Sequence, residues 1–245
     1  MLSQPTWINF GGADRGQLRY LWDDARVDDD FTEDASAVLS AALKMSARAR
    51  MVLAVGLYEW IVWRLDGLHT REEPRQVLEA AWCAIVDPRY LAYFDLARTE
   101  WVGPVEGPLW CAMAYLRHGL PRGYDLEGDL YDAMELLYLL AMHVAPKPGS
   151  VQGWLAPILD RLVQNYPVQP EDDYEDLFGH RIGEHLGPLI GRDALDPRLA
   201  LDPERDRQFL MEVLAAARDT ENPFLATAED LEEDGFEGDP YTVPA

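Results

Sequence analysis

The chain has 245 residues and a formal net charge of −23 at pH 7, from 44 acidic and 21 basic side chains. Its hydrophobic fraction of 48% is that of a globular protein, which excludes wholesale disorder. The acidity excludes nucleic acid and anionic membrane surfaces as favourable partners, because both would repel the chain. The imbalance is concentrated in residues 121–245, which carry 27 of the acids and nine of the bases.

The cysteines and the first residues both indicate a reducing compartment. Cys83 and Cys111 stand beside tryptophans in apolar helical contexts. A disulfide framework needs more cysteines in a smaller chain, so we expect buried, reduced thiols. Residues 1–14 lack the basic start and apolar run of a secretory signal. These features predict a cytoplasmic protein.

The most regular stretch of the chain runs from Asp34 to Leu68. Apolar residues recur there every three or four positions, which is the period of one helix face. From Met51 to Trp63 the only charge is Glu59. A membrane span needs about 20 apolar residues, so this shorter run predicts a central helix, about 34–66, that enters a core.

Two glycines mark this central helix. Gly67 followed by Leu68 fits a left-handed C-cap with its hydrophobic partner. An unbroken helix over 34–66 would match or exceed the width of the domain, so we expect a kink or break near Gly56.

Amphipathic patterns predict further helices at residues 72–86, 104–117, 125–145 and 151–166, which pack around the central one. One more amphipathic helix follows the connector and includes Phe209, Leu210, Val213, Leu214 and Ala217. The pairs Asp87-Pro88, Asp196-Pro197 and Asp202-Pro203 predict helix starts, because an aspartate cap with proline at the first helical position is a common beginning. No stretch alternates with the period of a strand. The sequence therefore predicts an all-α fold, an irregular multi-helix bundle around a long central helix, with a loop-rich acidic C-terminal region.

Composition predicts how this fold is divided. Residues 1–218 are expected to form a single helical domain, with a connector rich in proline and glycine at about 167–203. Residues 219–245 hold nine acids and no base, and form an acidic tail. Apolar side chains recur along the tail, so it is either partly disordered or clipped onto the helical body: Phe224, Leu231, Phe236 and Tyr241.

Three patterns that suggest chemistry have simpler explanations. His180 and Glu184 have the spacing of helix-borne metal ligands, but the glycines and proline of residues 178–191 favour a connector packed closely on helices. The aspartates of residues 22–31 lack the DDxxD spacing of helical prenyl synthases and predict a solvated turn. No GxSxG, HExxH or His-Asp pair occurs. We therefore predict no catalytic residue, metal or cofactor.

The strongest functional pattern is a pair of acidic runs that contain aromatic residues. Such runs suit a surface that steers a basic protein by charge and anchors it with a ring. The simpler alternative is that both runs are solvated and confer solubility. The candidate partner-binding residues are Asp172, Asp173, Tyr174, Glu175, Asp176, Asp230, Glu232, Glu233, Asp234 and Phe236.

In composition alone, the chain resembles bacterial immunity proteins, acidic helical inhibitors that neutralise a toxin; no residue motif carries this resemblance. It implies an inhibitor that acts by occlusion, with carboxylates that mimic an anionic substrate or plug a basic cleft. Two alternatives stay open. One is an all-α enzyme whose site joins helix carboxylates such as Glu59 with distant histidines. The other is a helical-repeat scaffold, suggested by the echo between residues 61–68 and 113–120.

Overall fold

In the computed structural model the described residues are 2–10, 16–120, 128–168 and 186–244. Over these ranges the chain forms α-helices, short 3-10 turns and two isolated β-bridges, but no strand. The predicted all-α fold is therefore confirmed. The eight α-helices of the described ranges are α1 (Ser36–Ala42), α2 (Ala47–Leu65), α3 (Glu73–Ala84), α4 (Gly103–Gly119), α5 (Gly128–His143), α6 (Ser150–Asn165), α7 (Pro203–Arg218) and α8 (Ala228–Glu233).

Helix α2 is the centre of the fold. Eighteen of its 19 residues are buried, and it packs against α3, α4 and α5. A helix that is apolar on every side needs neighbours on every side, and α3, α4 and α5 pack along it. Gly67 follows its end with a φ of 79°, as the predicted C-cap requires. Among the described residues, no helix is long and apolar enough to cross a membrane.

The central helix is interrupted, but not at Gly56. Residues 43–46 separate α1 from α2, and Met45 forms an isolated antiparallel bridge with Pro167 there. Gly56 lies inside the continuous helix, where a Cβ atom would come within 2.7 Å of Leu195. The missing side chain at Gly56 therefore permits a close approach of another segment, and it does not kink the helix.

Buried arginines of α2 hold the ends of two neighbouring helices. Arg48 donates hydrogen bonds to the carbonyls of Ile85 (2.9 Å) and Val86 (3.3 Å), just beyond α3. Arg64 donates to the carbonyl of Val144 at 3.0 Å, just beyond α5. The last carbonyls of a helix lack partners within it, so each guanidinium satisfies groups that would otherwise be buried unpaired. Burial lowers the pKa of Arg48 to about 10, and its side chain stays charged at neutral pH.

Glu59 is a fully buried carboxylate in the middle of α2. It accepts hydrogen bonds from Trp63 Nε1 and from Arg192 Nε, both at 3.0 Å, and Arg192 Nη2 forms a second bond to it. Arg192 Nη2 also donates to the carbonyl of Ser3 at 2.7 Å. A buried charge is tolerated when it is paired and hydrogen-bonded, and this pair joins α2 to two segments distant in sequence.

Of the three Asp-Pro pairs, only one starts an α-helix. Asp202 caps α7, as predicted, by accepting two backbone N–H groups. Asp87 and Asp196 instead accept the N–H of the arginine two residues later and bind its guanidinium. The helices predicted at about 88 and 197 are wrong, because neither turn is followed by the apolar repeat that lets α7 bury one face. The first is a 3-10 turn of three residues, and the second is a plain turn.

The carboxyl of Asp206, in the first turn of α7, is expected to make stability depend on pH. The residue is 2% exposed. Burial raises its pKa above the ordinary value and Asp193 adds to the rise, while the N–H of Gly191 and the hydroxyl of Tyr166 oppose it. A carboxyl with a raised folded-state pKa gains its proton first in the folded state, so stability increases as pH falls through that pKa toward the unfolded value of about 3.9.

We therefore expect Asp206→Asn to be more stable than the native chain at pH 7, because the asparagine carries no buried charge. The difference should shrink as pH falls toward 4. Urea unfolding at a series of pH values measures this, with Asp219→Asn, an exposed acid just after α7, as control. A difference that stays constant across the series would contradict the prediction.

Candidate partner-binding surface

Residues 219–244 run over the helical body and are fixed first at a backbone bridge. Leu225 pairs with Leu91 in an isolated antiparallel bridge, flanked by backbone hydrogen bonds of 2.9 and 3.0 Å. Beside the bridge, the buried ring of Phe224 packs edge-on against Phe94, with 4.9 Å between ring centroids. This stretch therefore packs onto the helical body, and it positions the acids that follow it.

A second attachment is an aromatic cluster around Tyr90. Its ring stacks on Tyr241 with centroids 4.5 Å apart, and its hydroxyl accepts the Tyr241 N–H at 2.9 Å. Burial raises the pKa of Tyr90 to about 12, so the hydroxyl keeps its proton at neutral pH. Phe236 lies beside this pair, 5.5 Å from the Tyr90 ring, with the Arg89 guanidinium 4.9 Å from its own centroid.

Helix α8 is too short to be stable alone, and both of its ends are capped. At its start, Thr227 and Asp230 form a capping box in which each side chain binds the other's backbone N–H. At its end, Gly235 adopts a φ of 68° and the N–H of Phe236 donates to the carbonyl of Leu231 at 2.8 Å. Leu231 is buried, so α8 is anchored to the body by this side chain.

The structure places half of the predicted partner-binding residues. Asp172, Asp173, Tyr174, Glu175 and Asp176 lie outside the described residues. Glu232, Glu233 and Asp234 are exposed at the end of α8, close to Asp230 and Phe236. Asp230 belongs to the capping box and Phe236 to the aromatic cluster, so both have structural roles within the chain. Their roles toward a partner stay predictions.

The exposed glutamates of α8 form one face. Glu229 precedes Glu232 by three residues and Glu233 by four, which makes the three side chains neighbours on the helix surface. All three are exposed, and within the described ranges none makes an ion pair. We call these three residues the α8 acidic face. Sequence reasoning omitted Glu229, although its three- and four-residue spacing to the other two would have shown it.

Two arginines that contact the C-terminal segment bind other groups than the three glutamates. Arg89 binds Asp87 through two hydrogen bonds and donates to the Gly235 carbonyl at 3.2 Å. Arg218 donates to the carbonyl of Pro240 at 3.0 Å. These guanidinium groups hold the C-terminal segment in place, and the exposed carboxylates of Glu229, Glu232 and Glu233 make no ion pair within the described ranges.

Other sequence patterns have structural explanations wherever the structure describes their residues. Gly187 and Gly191 approach Ser46 and Asp206 so closely that a Cβ would meet them at 3.0 and 2.6 Å, as a packed connector requires; His180 and Glu184 lie outside the described residues. Within the described ranges, no group of three or more His, Cys, Asp or Glu is arranged to hold a metal ion.

The echo between residues 61–68 and 113–120 does not correspond to a repeated geometry. Gly67 lies beyond the end of α2 with a φ of 79° and open space around it. Gly119 is the last residue of α4 and packs against Ala133 of α5. The two glycines therefore serve different purposes, one a cap and the other a close helix contact.

We expect Tyr241→Ala to loosen α8 without unfolding the protein, because it removes the stacked ring that holds the C-terminal segment on Tyr90. The loss should be about 1 kcal/mol of local stability, seen as several-fold faster hydrogen exchange at the amides of α8. Tyr93→Ala is the matched control, since that ring is 72% exposed. Equal exchange in the two variants would show that the cluster does not hold α8.

Comparisons of the chain with models of protein families, with curated protein sequences and with solved structures gave no match. The function is therefore argued from the chain's own residues.

Proposed function

We propose that this chain is a non-enzymatic acidic protein that binds a basic protein partner through the α8 acidic face. The observation that carries the proposal is that basic side chains are bound within the fold while the glutamates of α8 are exposed. Arg48 and Arg64 are buried and Arg192 is partly buried, and all three are bound within the fold. Glu229, Glu232 and Glu233, by contrast, are exposed and make no ion pair among the described residues.

The attachment of α8 also supports the proposal. The capping box, the burial of Leu231 and the cluster around Tyr90 hold α8 on the helical body. A preorganised charged surface loses little conformational entropy on binding, and its field raises the association rate with an oppositely charged protein. A basic toxin or effector domain is the partner class we favour, with the chain acting in the cytoplasm as an immunity-type inhibitor that occludes a basic cleft.

We expect the triple variant Glu229→Gln, Glu232→Gln, Glu233→Gln to associate with its partner about tenfold more slowly at low salt, because it loses steering charge but keeps its shape. The native chain serves as bait in extracts of the source cell, and mass spectrometry identifies the proteins retained. Association rates are then measured with the captured protein at low and high salt.

The control variant replaces three exposed glutamates elsewhere, Glu33, Glu100 and Glu204, and so changes the net charge equally. A basic protein retained by the native chain and the control, but weakly by the α8 variant, supports the proposal. If no basic protein is retained, or if both variants bind alike, the α8 acidic face is not the binding site.

A further inference from the structure

The two ends of the stretch 226–241 are attached at the same residue of the helical body. At one end, the N–H of Ala226 donates to the carbonyl of Tyr90 at 3.0 Å. At the other end, the N–H of Tyr241 donates to the hydroxyl of Tyr90 at 2.9 Å, and the two rings stack. The hydroxyl of Tyr241 also donates to the carbonyl of Ala226. The stretch, which includes α8, is therefore a loop whose ends are joined to each other and to Tyr90 by hydrogen bonds.

This loop has few attachments between its ends. Within the described ranges, α8 is the one α-helix that packs extensively against no other helix or 3-10 turn. Its buried side chain is Leu231. The residues that connect the loop to the end of α7, residues 219–221, are exposed. A region with few buried contacts opens at a lower free energy than the whole fold, so this segment is expected to open first.

Tyr241 is held in a strained backbone conformation. Its φ of 57° is the one positive value among the non-glycine residues that the structure describes. The left-handed conformation is unfavourable for a residue with a Cβ atom, and it persists only where surrounding contacts compensate the cost. The stacked ring and the hydrogen bonds to Tyr90 and Ala226 compensate it while the segment is closed. Opening therefore releases strain at the same time as it breaks contacts.

We propose that residues 222–244 form a strap that opens from the helical body as one unit, with Tyr241 as its latch. When the strap opens, α8 leaves the body and the α8 acidic face loses its fixed position. The strap is thus a switch for that face. Its effect on partner binding rests on the proposed function, whereas the opening itself does not.

The two native cysteines distinguish opening of the strap from unfolding of the whole chain. Cys83 is 1% exposed and lines a cleft between α3 and α7 that Asn222 and Leu225 of the strap also line. Burial raises the pKa of its thiol, so Cys83 reacts slowly while the strap is closed. Cys111 is 2% exposed in α4, among core residues of another part of the fold. Opening of the strap therefore uncovers Cys83 and leaves Cys111 buried.

The experiment is alkylation of the full chain by iodoacetamide at about pH 8 without denaturant, with each cysteine followed by mass spectrometry of its peptide. We expect Tyr241→Ala to accelerate alkylation of Cys83 about tenfold, because the stacked ring and the hydroxyl are both lost, and to leave Cys111 unchanged. Tyr241→Phe keeps the ring but loses the bond to Ala226, and should accelerate it about threefold. Tyr93→Ala, which removes an exposed ring outside the strap, is the control and should have no effect.

Hydrogen exchange shows whether the strap opens as one unit. The amides of Ala226 and Leu231 should exchange faster in Tyr241→Ala by the same factor, because one opening exposes both. Faster exchange at Leu231 with no change at Ala226 and Cys83 would show fraying of the last residues only. Equal acceleration at the two cysteines would show destabilisation of the whole fold. Either result would overturn the strap.

The partner identified with the native chain provides the last arm. Tyr241→Ala should weaken its binding about fivefold or more, although the sequence of α8 is unchanged. The α8 triple glutamine variant should lose the partner and keep the native rate at Cys83. If Tyr241→Ala accelerates Cys83 but binds the partner as the native chain does, the switch is overturned and the proposed function stands. If the glutamine variant binds as the native chain does, the proposed function fails, and an accelerated Cys83 in Tyr241→Ala still supports the strap.

Discussion

Replacing Arg192 with methionine is expected to lower the free energy of unfolding by about 3–5 kcal/mol, because it leaves a buried carboxylate without its countercharge. Glu59 is fully buried and receives hydrogen bonds from two groups of Arg192 and one of Trp63. The indole N–H that remains is a neutral donor and cannot compensate the charge. The N-terminal segment also loses the bond from Arg192 to the carbonyl of Ser3.

Urea unfolding followed by tryptophan fluorescence measures this loss. Arg26→Met is the control, since Arg26 forms ion pairs with Asp23 and Asp29 that are exposed and therefore contribute little. The double variant Glu59→Leu, Arg192→Met should recover most of the stability, because removing both charges also removes the unpaired one. A loss for Arg192→Met no larger than that of Arg26→Met would show that the pair is not structurally important.

Gly119→Ala is expected to destabilise the protein by about 1–3 kcal/mol through overpacking at the contact of α4 with α5. A Cβ at Gly119 would lie 2.2 Å from the Cβ of Ala133, and neither atom is the end of a flexible side chain. The two helices would have to move apart. This cost outweighs the gain of about 0.5–1 kcal/mol that alanine normally brings to a helix.

Gly153→Ala is the control that separates the effect of overpacking on stability from the effect of helix propensity. Gly153 lies in α6 with open space around it, so alanine there should stabilise the protein by about 0.5–1 kcal/mol. Ala133→Gly should also relieve the effect of Gly119→Ala, giving a favourable coupling in a double-mutant cycle. If Gly119→Ala were as stabilising as Gly153→Ala, the close contact between α4 and α5 would be wrong.

The centre of the fold could be predicted from sequence because it depends on a local pattern. An unbroken apolar period forces α2 to be enclosed. The position of the break in the predicted central helix could not be predicted from sequence, because it depends on residues distant along the chain. Met45 bridges to Pro167, and Gly56 makes room for Leu195, so neither role is visible from neighbouring positions.

The candidate surface shows the same limit. The acidic residues of α8 are evident in the sequence, whereas the contacts that hold α8 on the helical body are not. Phe236 and Tyr241 look like loose aromatic residues in an acidic tail until the fold brings Tyr90 beside them.

The complete enclosure of α2 has a consequence for synthesis. Leu65, its last residue, precedes His143, the end of α5, by 78 positions. At translation rates of about 5–20 residues per second, the synthesis of α5 is complete roughly 4–16 s after that of α2. During that interval α3 and α4 can cover only part of α2, and the apolar face that awaits α5 is a surface of the kind that chaperones bind and that aggregation exploits. Yield in the cell therefore depends on protecting one nascent segment, independently of how stable the finished protein is.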